Sequence, residues 1–191
     1  MKTYIAKRNF RSDKEAIKLI SERYGFPKVI EIGNDYILEE FVEFKNIYPS
    51  LNQMSSLLKN IHSEKNLNKE PLVHGDFGAH NTILVNGEVK CFDYEYSHFG
   101  NVYADIGRVL LRGCKNVDDV YSFFNTYSNS IPDIEELKEG LIYFCNWQHD
   151  LRKEKELQYQ KVPLIRASRI LNSDNNLENI IKAFKEEVSI K

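Results

Sequence analysis

The chain has 191 residues, with 26 Lys+Arg against 28 Asp+Glu and 42% hydrophobic residues. That length suits one ordinary domain or two small lobes around a cleft, and it supports a core without disulfide or metal staples. The net charge of -2 and 12% aromatic content exclude a disordered chain and remove the generic electrostatic case for nucleic acid. No apolar run nears the roughly 18 residues that a membrane span needs. The opening MKTYIAKRNFR carries charges where a signal peptide would be apolar. Cys91, Cys114 and Cys145 have no ligand spacing and read as reduced, mostly buried thiols of a cytoplasmic protein.

In chain order, Tyr4 to Lys7 is a short strand. A helix is expected from Ser12, with Ala16, Ile17, Ile20 and Tyr24 on one side and a capping box over Ser12-Asp13-Lys14-Glu15. Gly25 and Pro27 end it. Lys28–Ile32 and Tyr36–Val42 read as an antiparallel hairpin around Gly33-Asn34-Asp35. Leu51 to Ile61 has helical spacing, and the polar stretch 63–70 is a solvated connector. Leu72-Val73 leads into His-Gly-Asp. Ile83-Leu84-Val85 and Val89 to Phe92 are strands joined by Asn86-Gly87, the pair that a type I′ turn demands. Beyond Asp105 the pattern is helical over Ile106–Leu111, Val117–Tyr127, Ile134–Leu157, Pro163–Leu171 and Leu177–Val188.

The hairpin carries the chemistry. A two-residue turn makes Val85 oppose Glu88, so Asn81 falls opposite Phe92 and beside Asp93. An amide oxygen and a carboxylate thus meet at the open end of the hairpin. Asp76 lies on the loop leading in. Oxygen donors of this kind suit a hard cation such as Mg²⁺ that also takes phosphate oxygens. A neighbouring carboxylate can accept a proton from a hydroxyl. Phosphoryl transfer requires these parts.

The ordered set His74-Gly75-Asp76-Phe77-Gly78-Ala79-His80-Asn81, Phe92-Asp93-Tyr94-Glu95 and Ala104-Asp105-Ile106-Gly107 resembles the aminoglycoside phosphotransferase and choline kinase superfamily. The resemblance implies an α+β, protein-kinase-like fold. A reduced β-containing N-lobe over residues 1–43 would hold the Lys strand, a helix and a hairpin to the hinge. A mainly helical C-lobe would cover 44–191. It implies Asp76 as catalytic base, Asn81 and Asp93 as Mg²⁺ ligands, and His74, Asp105 and Glu95 as support for the catalytic loop. For the nucleotide it implies Lys7 at the phosphates, Glu15 as the partner of Lys7, and backbone near Glu40 and Val42 at the base. Glu95 equally suits a surface or structural use, and Glu22 is a second candidate partner for Lys7. Tyr143, Phe144 and Trp147 read as core before they read as an aromatic cage.

The implied co-substrate is ATP or another nucleoside triphosphate, and the implied partner is a small molecule with a hydroxyl. No nucleic acid or membrane partner is expected. Family members carry two strands and a phosphate-covering loop ahead of the Lys strand, so a shortened front is expected here. Three outcomes fit that expectation: a minimal kinase, completion by another copy or a partner chain, or a non-catalytic nucleotide-binding module. Gly113–Lys191 is close to charge balance, which does not mark an acidic surface for polycations.

Overall fold

In the computed structural model, residues 2–7, 13–34, 36–41, 47–154 and 161–188 are described, with backbone only at 2–7, 41 and 154. The first elements are β1 (Lys2–Lys7), α1 (Lys14–Arg23), β2 (Val29–Ile32) and β3 (Tyr36–Phe41). The strands form an antiparallel sheet in the order β1-β3-β2. Helix α1 begins later than the Ser12 box implies. Its cap is Asp13, which accepts the Glu15 N–H at 2.8 Å. With Asp13 capping, Glu15 stands one position too early to close a box. Ala16, Ile17 and Ile20 are its buried face.

The end of α1 is tied to the middle of the chain. The Phe26 N–H donates to the Cys91 carbonyl at 2.9 Å, and the Cys91 N–H donates to Tyr24 at 2.9 Å. At its start, the Asp13 N–H donates to Ser97 at 3.1 Å. The boundary expected between 43 and 44 falls within residues 42–46, outside the described residues.

Helix α2 (Leu51–Ser63) carries the complete capping box that α1 lacks, between Ser50 and Gln53. β4 (Leu72–Val73) pairs with β7 (His98–Phe99), a strand with no pattern in the sequence. Between them lies the hairpin of β5 (Thr82–Val85) and β6 (Glu88–Cys91). Val85 opposes Glu88 and Thr82 opposes Cys91, the register that Asn86-Gly87 dictates. Both turn residues have positive φ, 51° and 86°. The Phe92 N–H donates to the Asn81 carbonyl at 3.0 Å, which places Asn81 and Asp93 at the hairpin's open end.

The remaining elements are α3 (Tyr103–Arg112), α4 (Val117–Tyr127), α5 (Ile134–Glu154), α6 (Val162–Leu171) and α7 (Leu177–Lys185). Helix α3 starts at Tyr103 rather than Ile106, so Asp105 sits in its first turn. The expected end of α5 at Leu157 lies outside the described residues. Helix α7 stops at Lys185 because Glu186 turns to extended backbone, with ψ 132°. Helices α3 and α5 approach closely at Gly107, where an added Cβ would lie 2.3 Å from Phe144. Phe144 is core, buried with Leu110, Leu141, Ile180 and Phe184.

The three cysteines are free and buried, and burial pushes Cys114 and Cys145 up to about 12. No helix among the described residues is long and apolar enough to cross a membrane.

Candidate active site

The loop from His74 to Asn81 is held from beneath by one carboxylate. Asp105 is fully buried. Its Oδ2 accepts the His74 N–H at 2.7 Å and faces His62 Nε2 at 3.2 Å. Its Oδ1 accepts the N–H groups of Gly75 at 2.8 Å and Phe77 at 3.3 Å. Burial raises this carboxyl, but the His62 hydrogen bond, the charges of His62 and His74 and the backbone donor outweigh it and hold it below the ordinary range. His62 is fixed in turn, its Nδ1 2.7 Å from the Tyr127 hydroxyl. A chain of polar contacts thus runs from α4 through α2 and α3 to the loop.

The turn at Gly75 needs glycine twice over. Its φ is +82°, and a Cβ there would meet the Tyr96 carbonyl oxygen at 2.4 Å. His74 is buried, with Nε2 3.0 Å from the Phe92 carbonyl. Its Nδ1 accepts the Asp76 N–H at 3.3 Å. That pattern is met by the tautomer with hydrogen on Nε2. One ring therefore connects the loop to the residue before Asp93.

Asp76 is partly open to solvent, and its two oxygens have different surroundings. Oδ2 accepts from Asn81 Nδ2 at 3.1 Å and lies 3.4 Å from His80 Nε2. Oδ1 lies 2.5 Å from Arg108 Nη2 but makes no hydrogen bond of good geometry. Burial raises Asp76, yet the His80 hydrogen bond and the charges of Arg108, His80 and His74 prevail, so the carboxyl sits below its usual range. Asn81 Nδ2 also donates to the Asp76 carbonyl at 3.0 Å. Its amide hydrogens are thereby committed, leaving Oδ1 as its outward chemistry.

Asp93 is half-buried in the left-handed region, with φ 64°, a conformation that Asp tolerates better than most residues. Glu95 is buried, which rules out the surface role left open for it. Oxygen donors on Asn81 and Asp93 fit a hard divalent cation that completes its shell with phosphate. Among the described residues no group of three or more His, Cys, Asp or Glu forms a protein-only cage.

The nucleotide-side residues are less gathered. The Lys7 side chain and all of Val42 lie outside the described residues. Glu15 is exposed and contributes its N–H to the α1 cap. Glu40 is half-buried in β3, where its N–H donates to the Lys28 carbonyl at 3.0 Å. That donor is engaged within the sheet rather than free for a base.

Sequence reasoning missed Arg108, His80 and His62 as neighbours of the two aspartates. For Arg108 a signal existed. It stands three residues after Asp105 on α3, hence on the same face and toward the same loop.

No protein-family profile and no curated protein matches the chain. Solved structures do. The AMP-bound complex of spectinomycin phosphotransferase APH(9)-Ia matches with a TM-score of 0.53 at 12% identity, over 96% of this chain and 88% of that one. The same enzyme with ADP and spectinomycin matches with a TM-score of 0.53 at 12% identity, over 95% and 84%. The chain has the kinase-like fold of the aminoglycoside phosphotransferases. At this identity the likeness concerns architecture.

Proposed function

We propose that the protein transfers the γ-phosphoryl group of a nucleoside triphosphate to a hydroxyl of a small molecule. The observation that carries this reading is the asymmetry of Asp76. Oδ1 is buried against the Arg108 guanidinium, while Oδ2, on the part of the residue still open to solvent, is oriented by Asn81 and His80. Oδ2 is the oxygen that accepts the acceptor's hydroxyl proton as the O–Pγ bond forms. The bond from Pγ to the bridging oxygen breaks, and the nucleoside diphosphate leaves. Held below its usual range, the Asp76 carboxyl is ionised at neutral pH, so it orients the hydroxyl throughout the approach. Asp105 contributes by fixing the loop backbone, which sets where Asp76 stands.

Asn81 and Asp93 would hold Mg²⁺, which supplies charge neutralisation at the phosphates. Lys7 is the proposed phosphate contact, with Glu15 as its partner. Nucleotide-bound phosphotransferases of the same fold support ATP or a related triphosphate as the co-substrate.

The test joins binding to turnover. Mg²⁺ with ATP near 100 times Kd should raise the melting temperature by about 5–10 °C. Asp76→Asn should lower turnover by roughly 10²–10⁴-fold, with nucleotide affinity within about threefold. Absence of a shift with every nucleoside triphosphate would end the kinase reading. Retained binding with no turnover for any acceptor would favour the nucleotide-binding module, a reading to which the close Arg108–Asp76 pair lends weight.

A further inference from the structure

Beside Arg108 lies a cavity of about 620 Å³ between α3, α5, α6 and the end of α7. Its charge is one-sided. Arg108 and Arg112 enter from α3, Arg152 from α5, Arg166 from α6 and Lys185 from α7, while Glu187 is the one acid lining it among the described residues. The positions are set by helical spacing. Arg108 and Arg112 are one turn apart, as are Gln148 and Arg152, and the close approach at Gly107 brings the two pairs face to face.

These groups have polar capacity left over. Arg108 is 8% exposed and Gln148 7%, yet Arg108 Nε and Gln148 Nε2 are buried with no hydrogen-bond partner. Arg166 Nε is in the same condition. Lys185 differs, because its Nζ donates to the carbonyls of Leu110 at 3.0 Å and Leu111 at 3.1 Å at the end of α3. Buried donors left unpaired are costly, and cations crowded into one cavity repel one another. Burial, with a smaller part from the neighbouring arginines, pulls Arg108 below the ordinary guanidinium value despite the charges of Asp76 and Asp105, and Arg166 likewise despite Cys145. An anion with several acceptor oxygens removes all of these costs at once, since guanidinium groups bind phosphate and carboxylate as matched forks.

The wall of this cavity is also the contact of the proposed base, because Arg108 Nη2 touches Asp76 Oδ1. We infer that the cavity is the acceptor site, and that the acceptor is a small hydroxyl compound carrying a phosphate or carboxylate, held by Arg108, Arg152 and Arg166 with its hydroxyl toward Asp76. This rests on the phosphotransfer reading for the word acceptor, while the anion site stands on the cavity alone. The cavity has room for a molecule of several carbons in addition to its charged group. Its positive lining repels the polycations that an acidic pocket would favour.

The experiment titrates inorganic phosphate and citrate into the full chain, follows the melting temperature, and uses sodium chloride at matched ionic strength as control. Wild type should be stabilised by phosphate or citrate beyond chloride, and Arg166→Gln should weaken the anion about 10- to 100-fold. Arg112→Gln at the exposed mouth is the second variant, with a weaker effect in the same direction. Mg²⁺ with ATP is titrated in parallel. Loss of the anion shift in Arg166→Gln with the ATP shift retained supports two distinct sites.

Equal anion shifts in wild type and both variants, or no shift beyond chloride, overturns the cavity as an anion site. An Arg166-dependent anion shift without any ATP shift overturns phosphotransfer and leaves the anion site standing. Turnover then assigns the acceptor. Hydroxyl compounds bearing phosphate or carboxylate should exceed their uncharged analogues and spectinomycin by at least about tenfold, and the reverse order overturns the acceptor class.

Discussion

The His74–Asn81 loop and the helical cavity meet at one arginine, yet they are built on opposite principles. In the loop the buried backbone donors of His74, Gly75 and Phe77 share one acceptor. Asp105 alone accepts three backbone donors and a histidine. In the cavity, cations are gathered with unpaired buried nitrogens and a single lining acid among the described residues. A satisfied network rigidifies a loop, which is what the placement of Asp76 demands. An unsatisfied one is what a site looks like when its stability waits on a ligand. The sign of a substitution's effect should therefore differ between the two regions.

The largest effect is expected from Asp105→Ala. It leaves the N–H groups of His74, Gly75 and Phe77 buried without an acceptor and should cost about 3–5 kcal/mol. In thermal unfolding that is roughly 10 °C or more. A drop of only one or two degrees would mean that the loop is held by other contacts.

Next comes the joint between the regions. Gly107→Ala drives a methyl into Phe144 and should cost about 1–3 kcal/mol. By parting α3 from α5 it should also weaken phosphate binding, measurable in the same melts. Unchanged anion affinity in a destabilised Gly107→Ala protein would separate cavity shape from helix packing.

Acid should weaken the loop side in two stages. His98 has Nδ1 2.8 Å from the Tyr96 carbonyl and stacks on Trp147. Burial lowers its pKa despite the charges of Asp105 and Asp13. Its folded value is below the unfolded one near ~6.5, so its contribution is complete above about pH 6.5 and declines as pH falls through the folded value. Asp76 and Asp105 are depressed relative to ~3.9, so their contribution is complete above that value and is lost as pH falls through their folded values. Urea midpoints from pH 8 to 3 should fall in these two steps. His98→Phe should flatten the first. Stability that increases between pH 7 and 5 would contradict the assignment.

The smallest effect belongs to the cavity. Without anion, Arg166→Gln should change stability by less than about 0.5 kcal/mol or raise it slightly, because a charge that repels its neighbours is removed. A loss of more than about 2 kcal/mol would show that Arg166 is a structural strut and would erase the contrast.

What the chain spells out locally was legible. Asn86-Gly87 specified the turn, and period-two pairing then set Asn81 opposite Phe92 without further information. Val117–Tyr127 was recovered at both ends because Asn116 caps one end and apolar periodicity stops at the other. Strand β7 escaped notice because two residues carry no periodicity, and its existence depends on β4 as a partner. The Ser12 box was a plausible pattern displaced by a better cap one residue on. The cavity escaped for a different reason. Gly113–Lys191 is nearly neutral by count, but a count does not say which helix faces carry the arginines, and two of them lie upstream on α3. Only the packing of four helices sorts the charges into one place.

Arg108 has a consequence for how such a protein can change. Its guanidinium serves the proposed base through one nitrogen and the cavity through another, so the two sites share a component. Thermodynamic reciprocity then requires that whatever anion binding does to Asp76, the state of Asp76 does to anion binding. Drift at this position cannot retune the proposed anion site and leave the proposed base untouched. New specificities on this scaffold should be reached through Arg112, Arg152 and Arg166, whose side chains face the cavity without touching the base.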